Sequence, residues 1–111
     1  MKRPPPYAKK VVPRTGETLH ILTGSQAWDR ANSATWFPES KVVLPPGESP
    51  RTFDWSFVSQ WPDVIIWCFG EPAQPDDIRS LAAELLQHVE LVLYFGPNQP
   101  ATRFHARREA A

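Results

Sequence analysis

Val64-Ile65-Ile66-Trp67-Cys68-Phe69-Gly70, then Pro75 to Val89, then Leu91-Val92-Leu93-Tyr94-Phe95-Gly96: this stretch decides the fold. Two apolar runs flank a segment of different periodicity. Strands that lack polar alternation belong to sheets covered on both faces, as parallel sheets are. A helix that bridges two such strands completes a βαβ unit. The bridging segment has the pattern required. Ile78, Leu81, Ala82, Leu85, Leu86 and Val89 share one helical face. Asp76 and Asp77 fall in its first turn and His88 near its end, where the helix dipole favours each charge.

Upstream of this unit the chain reads as further strands. Thr18 to Thr23 predicts a strand that ends at Gly24, and Lys41-Val42-Val43-Leu44 predicts a second, stopped by Pro45-Pro46-Gly47. The connection over residues 25–40 holds Trp28, Trp36 and Phe37, and Gln26 to Ala34 fits a short helix within it. Ser49-Pro50 is a good helix opening, with serine as N-cap and proline at the first helical position. Phe53, Phe57, Val58 and Trp61 follow helical spacing, yet Phe53, Trp55 and Phe57 also recur at period two. A short helix is favoured, a strand stays open, and Pro62 ends either one. The expectation is a small Rossmann-like three-layer α/β domain whose mostly parallel sheet has about four strands. The domain spans 17–102, between a basic proline-rich arm at 1–16 and a basic tail at 103–111.

Composition supports one folded domain. The chain has 111 residues, 41% of them hydrophobic, with five Trp and six Phe, enough for a single core. Its 13 prolines suggest stiff loops. No apolar run approaches membrane-spanning length, so no membrane partner is expected. The charged start has no apolar run behind it and does not read as a secretory signal. The lone Cys68 allows no internal disulfide and fits a cytoplasmic protein.

Net charge is zero but unevenly spread: residues 1–14 carry +5, residues 15–102 carry −7 and residues 103–111 carry +2. Lys2, Arg3, Lys9, Lys10 and Arg14 make the N-terminal arm a candidate nucleic-acid contact, or simply a solvated end.

Candidate sites follow from the fold. Glycines end or follow the strands at Gly24, Gly47, Gly70 and Gly96. Open parallel sheets bind ligands beyond the carboxyl ends of their strands. Gly24, Ser25, Gly47 and Gly70 are therefore candidate nucleotide or phosphate contacts. Thr23-Gly24-Ser25-Gln26 lacks the further glycines of a dinucleotide loop and the Gly-Lys-Ser/Thr of a phosphate loop. Glycine also ends strands with no ligand at all.

His20, His88, His105 and Cys68 show no metal-ligand spacing, and His20 reads as a hydrogen-bonded strand residue. Cys68 lies in a run expected to be buried, where thiols are inert. Asp29, Glu48, Asp54 and Glu71 are carboxylates that could converge near the sheet edge. No pattern calls for a cofactor. Trp28, Trp36 and Phe37 are loop aromatics flanked by polar residues. They serve as partner-binding anchors if exposed, or as a cap on the sheet edge if folded back.

The series Val43-Leu44-Pro45-Pro46-Gly47-Glu48-Ser49-Pro50, Phe53-Asp54-Trp55, Asp63-Val64-Ile65-Ile66-Trp67 and Ile78-Arg79-Ser80-Leu81-Ala82 resembles small uncharacterised proteins of proteobacterial phages and conjugative elements. That resemblance spans about residues 19–96 and implies no activity. The βαβ part also resembles a Toprim-type fold, the metal-dependent module of primases and topoisomerases. That family places a Glu after its first strand and an Asp-x-Asp after a later one. Here Gly24-Ser25 and Cys68-Phe69-Gly70 occupy those places, so the resemblance does not imply Toprim catalysis.

The reading favours a non-enzymatic protein-binding module, from a mobile element and acting on a host nucleic-acid machine. Nucleic-acid binding through the basic arms and ligand binding at the glycine edge are the alternatives.

Overall fold

A computed structural model describes residues 18–32, 41–44, 50–70, 75–96 and 100–106. The elements follow in order as β1 (Leu19–Thr23), α1 (Ala27–Ala31), β2 (Lys41–Val43), β3 (Val64–Cys68), α2 (Pro75–Leu85), β4 (Leu91–Phe95) and β5 (Thr102–His105). The chain is α/β. Its strands form one sheet in the order β2-β1-β3-β4-β5. β2, β1, β3 and β4 are parallel, with Leu19 opposite Val64 and Val64 opposite Val92.

The fifth strand departs from the sequence expectation. β5 runs antiparallel to β4, with Val92 opposite Phe104 and Leu93 opposite Arg103. Residues 103–105 thus belong to the sheet, past the boundary expected at 102. The physical reason is a local alternation: Phe104 is half-buried against the core while Thr102, Arg103 and His105 are exposed. A single apolar residue flanked by polar ones suffices for an edge strand that covers only one face.

The sheet's first face carries the main core. Leu19, Ile21, Val64, Ile66 and Val92 are all 0% exposed there. Ile78, Leu81, Ala82, Leu85 and Val89 of α2 and the following turn are buried in the same cluster, the helical face expected from the spacing. Each large side chain so buried contributes roughly 1.5–3 kcal/mol. Phe53, Trp55, Val58 and Trp61 complete this layer. They sit not on one helix but around two short 3₁₀ turns, Pro50–Thr52 and Ser56–Gln60, with Val58 inside the second and Phe53, Trp55 and Trp61 beside them. Aromatic crowding explains the break. Phe53 and Trp55 meet edge to face at 6.1 Å. Trp55 and Phe57 stack at 6.1 Å, and Phe57 meets Trp61 edge to face at 6.1 Å. A regular α-helix cannot turn residues 53, 55, 57 and 61 onto one surface.

The second face is covered differently. α1 packs Ala27 and Ala31 onto Leu22 and Val43, over β1 and β2. β1 is buried on nearly every residue, but β3 and β4 alternate buried with half-buried. The expectation that these apolar strands are buried on both sides therefore holds only near β1. α1 has five residues, roughly 7 Å of helix, too short to reach across. Among the described residues, Ile65, Trp67, Leu93 and Phe95 are left partly open to solvent.

Candidate functional site

β1 leads to β2 on one side and β3 leads to β4 on the other, so the order in which strands are added reverses between the parallel neighbours β1 and β3. That is the switch point where open α/β sheets place their crevice. The turns after the two strands meet there. Gly24 has φ +97° and Gly70 φ +87°, conformations that suit glycine.

A Cβ on Gly24 would collide with the Phe69 carbonyl, and one on Gly70 with the Ser25 hydroxyl. The turns are also joined by hydrogen bonds. Phe69 N–H donates to the Thr23 carbonyl at 2.9 Å, and Gln26 N–H donates to the Phe69 carbonyl at 3.0 Å. Gly24, Ser25 and Gly70 are thus brought together, with Ala27 N–H donating to the Gly24 carbonyl at 3.2 Å inside the first turn. Gly47 lies outside the described residues.

A second cluster lies on the open face. Trp67 Nε1 donates to His20 Nδ1 at 3.0 Å, and the rings are stacked 6.3 Å apart. A nitrogen that accepts carries no proton, so this bond fixes neutral His20 with its hydrogen on Nε2. His20 is a partnered strand residue, as its position suggests. Trp67 also stacks on Phe95 at 4.8 Å and on Phe69 at 6.0 Å. The Arg30 guanidinium sits 5.4 Å from the Phe69 ring centroid, within cation–π range. Lys41 Nζ donates to the Ala31 carbonyl at 2.7 Å and closes the end of α1.

The other candidates separate. Trp28 is 38% exposed on α1; Trp36 and Phe37 lie outside the described residues. So do Lys2, Arg3, Lys9, Lys10, Arg14, Glu48 and Glu71. Asp29 belongs to α1 on the second face. Asp54 belongs to the aromatic segment of the first, where its carboxylate accepts from Ser56 N–H at 3.0 Å. The sheet stands between these two carboxylates. Cys68 is buried and carries no disulfide. It adjoins Tyr94, whose phenol is pushed up to about 12 by burial first and the Cys68 thiol second. Among the described residues no three His, Cys, Asp or Glu gather at metal-binding range. No described helix is long and apolar enough to cross a membrane.

Comparison with protein-family models, with curated proteins and with solved structures found no match.

Two residues of the open face escape a linear reading. Phe95 reads as core because its run is apolar on both sides. Arg103 reads as tail because β5 has only one apolar residue. The polar–apolar–polar order of Arg103, Phe104 and His105 is the signal the sequence offers.

Proposed function

We propose that this chain is a non-enzymatic protein-binding module that docks through the outer surface of α1. The observation that carries the reading is Trp28. It is the exposed large hydrophobic side chain among the described residues, on a helix whose inner face is anchored by buried Ala27 and Ala31. A short, anchored helix presents such a ring with little ordering cost, and tryptophan is enriched among residues that dominate binding energy. Arg30 lies on the same helix, held over Phe69, and adds a charged neighbour.

The placement of α1 and α2 on opposite faces supports a small Rossmann-like three-layer reading of the fold. The narrower reading is a mobile-element protein that occupies a host nucleic-acid machine; its motivation is the −7 charge of residues 15–102.

The test is affinity capture from a bacterial lysate with wild-type chain and with Trp28→Ala. A partner recovered by the first and lost with the second, at an unchanged melting temperature, supports the reading. Recovery of no partner, or equal recovery by both, overturns it.

A further inference from the structure

β5 closes one end of the sheet, and its register tells which backbone groups it has left. In an antiparallel pair, residues that exchange hydrogen bonds with the neighbour alternate with residues whose N–H and C=O point away from it. Ala106 N–H donates to the Glu90 carbonyl at 3.0 Å, which sets the phase. Counting back in twos, Phe104 opposite Val92 and Thr102 opposite Tyr94 are the bonding pairs. Arg103 and His105 therefore turn their backbone donors and acceptors outward. Among the described residues no strand pairs with that side. A row of this kind is a template for another strand.

The side chains distinguish this edge from the other one. Phe104 packs against the main core on the first face, yet it is only half-buried. Apolar surface is left for a neighbour to cover. At the opposite edge, Val42 and Val43 of β2 are already 0% exposed. A strand added beside β2 would gain nothing from them.

We propose that β5 pairs antiparallel with β5 of a second copy, about a twofold axis at Phe104, and joins the two sheets into one. The occupant follows from the stretch being its own complement. With the axis at Phe104, Arg103 of each copy faces the second copy's His105, and each such pair exchanges both N–H···O bonds. The two Phe104 residues then form a non-bonding pair, the arrangement that brings side chains closest, and extend the first-face core across the seam. Centring the axis on Arg103 would set two like charges face to face, which is unfavourable. Centring it on His105 would pull the two Phe104 rings apart. The contact is short, so its Kd should fall in the micromolar to millimolar range. This inference goes beyond the docking reading for α1 and does not rest on it.

The experiment uses the full chain in analytical ultracentrifugation from about 10 μM to about 1 mM, where a monomer–dimer equilibrium is expected. Arg103→Pro removes an outward N–H and leaves the Thr102 and Phe104 bonds to β4 in place. Proline sits at edge positions whose N–H faces away from the sheet. The variant should lose the dimer while its circular dichroism stays that of wild type. A second pair of variants leaves the backbone alone. His105→Glu sets opposite charges face to face at both ends of the seam and should tighten the dimer roughly 2- to 30-fold. His105→Arg sets like charges there and should loosen it by a similar factor. Trp28→Ala should leave the dimer unchanged, so a failure here is distinct from a failure of the α1 reading. Two results overturn the proposal. One is a monomer at every concentration, which would leave the edge to an extended strand of another protein. The other is a dimer indifferent to Arg103→Pro and to both His105 variants, which would place the contact elsewhere.

Discussion

Replacing Gly24 with alanine should be among the most damaging single-methyl additions in this chain. Gly24 holds φ +97°, a conformation that costs a residue with a Cβ about 1–3 kcal/mol. The new methyl would also strike the Phe69 carbonyl, a backbone atom that cannot rotate away. To make room, β3's outgoing turn must move. That movement strains two bonds, Gln26 N–H to the Phe69 carbonyl at 3.0 Å and Phe69 N–H to the Thr23 carbonyl at 2.9 Å. Each is worth about 0.5–1.5 kcal/mol. The total is on the order of 3–5 kcal/mol, or about 12–20 °C in melting temperature at about 4 °C per kcal/mol.

Gly70→Ala is the matched control. Its φ of +87° is similar, but the atom met first is the Ser25 hydroxyl at the end of a side chain that can turn. The cost should be about 1–2 kcal/mol, and Ser25→Ala in the same chain should recover part of it. Gln26 Cγ still lies 3.0 Å from the added methyl, so recovery should be incomplete. Thermal and urea melts of the four proteins decide the matter. The reasoning is refuted if Gly24→Ala melts within about 2 °C of wild type, or if Gly70→Ala is the worse of the two.

Other expectations follow from burial and bonding. Leu85 is 0% exposed on α2, so Leu85→Ala should cost about 2–5 kcal/mol and Leu85→Asp should unfold the domain by circular dichroism. Trp67→Phe removes the donor to His20 Nδ1, and urea titration should show a loss of about 0.5–1.5 kcal/mol. Tyr94 should confer a pH dependence in alkali. Its folded phenol is pushed from 10.0 up to about 12, so the unfolded state ionises first. Stability from this group is therefore complete below pH 10 and declines as pH rises toward 12, by up to about 1.4 kcal/mol per pH unit. Tyr94→Phe should flatten that decline in urea melts taken across the range.

The parallel core was legible in the chain because its signals are local and redundant. Ile78, Leu81, Ala82, Leu85 and Val89 recur at helical spacing between two apolar runs, and the runs are indeed parallel neighbours. What was not legible depends on the size of the covering elements. Ile65 and Trp67 look like any interior strand residues. Their half-exposure follows from the brevity of α1, which no property of β3 announces. The segment 50–61 was ambiguous for a related reason. Its aromatics satisfy helix and strand periods in part, and ring-to-ring packing resolves the conflict as two 3₁₀ turns. At the candidate site, Gly24 and Gly70 were marked by their places after strands. That their turns close on one another depends on contacts between residues more than forty positions apart.

β1 is an interior strand, yet it comes first in the described chain, and its partner β3 begins 45 positions later, Val64 against Leu19. Until β3 has been made, β1 has only α1 and β2 to pack against, and its main-core side stays uncovered. Contacts this distant in sequence close slowly, whereas β3, α2, β4 and β5 form one continuous run. Native assembly should therefore begin from β3 to β5, with the β1–β2 pair added last.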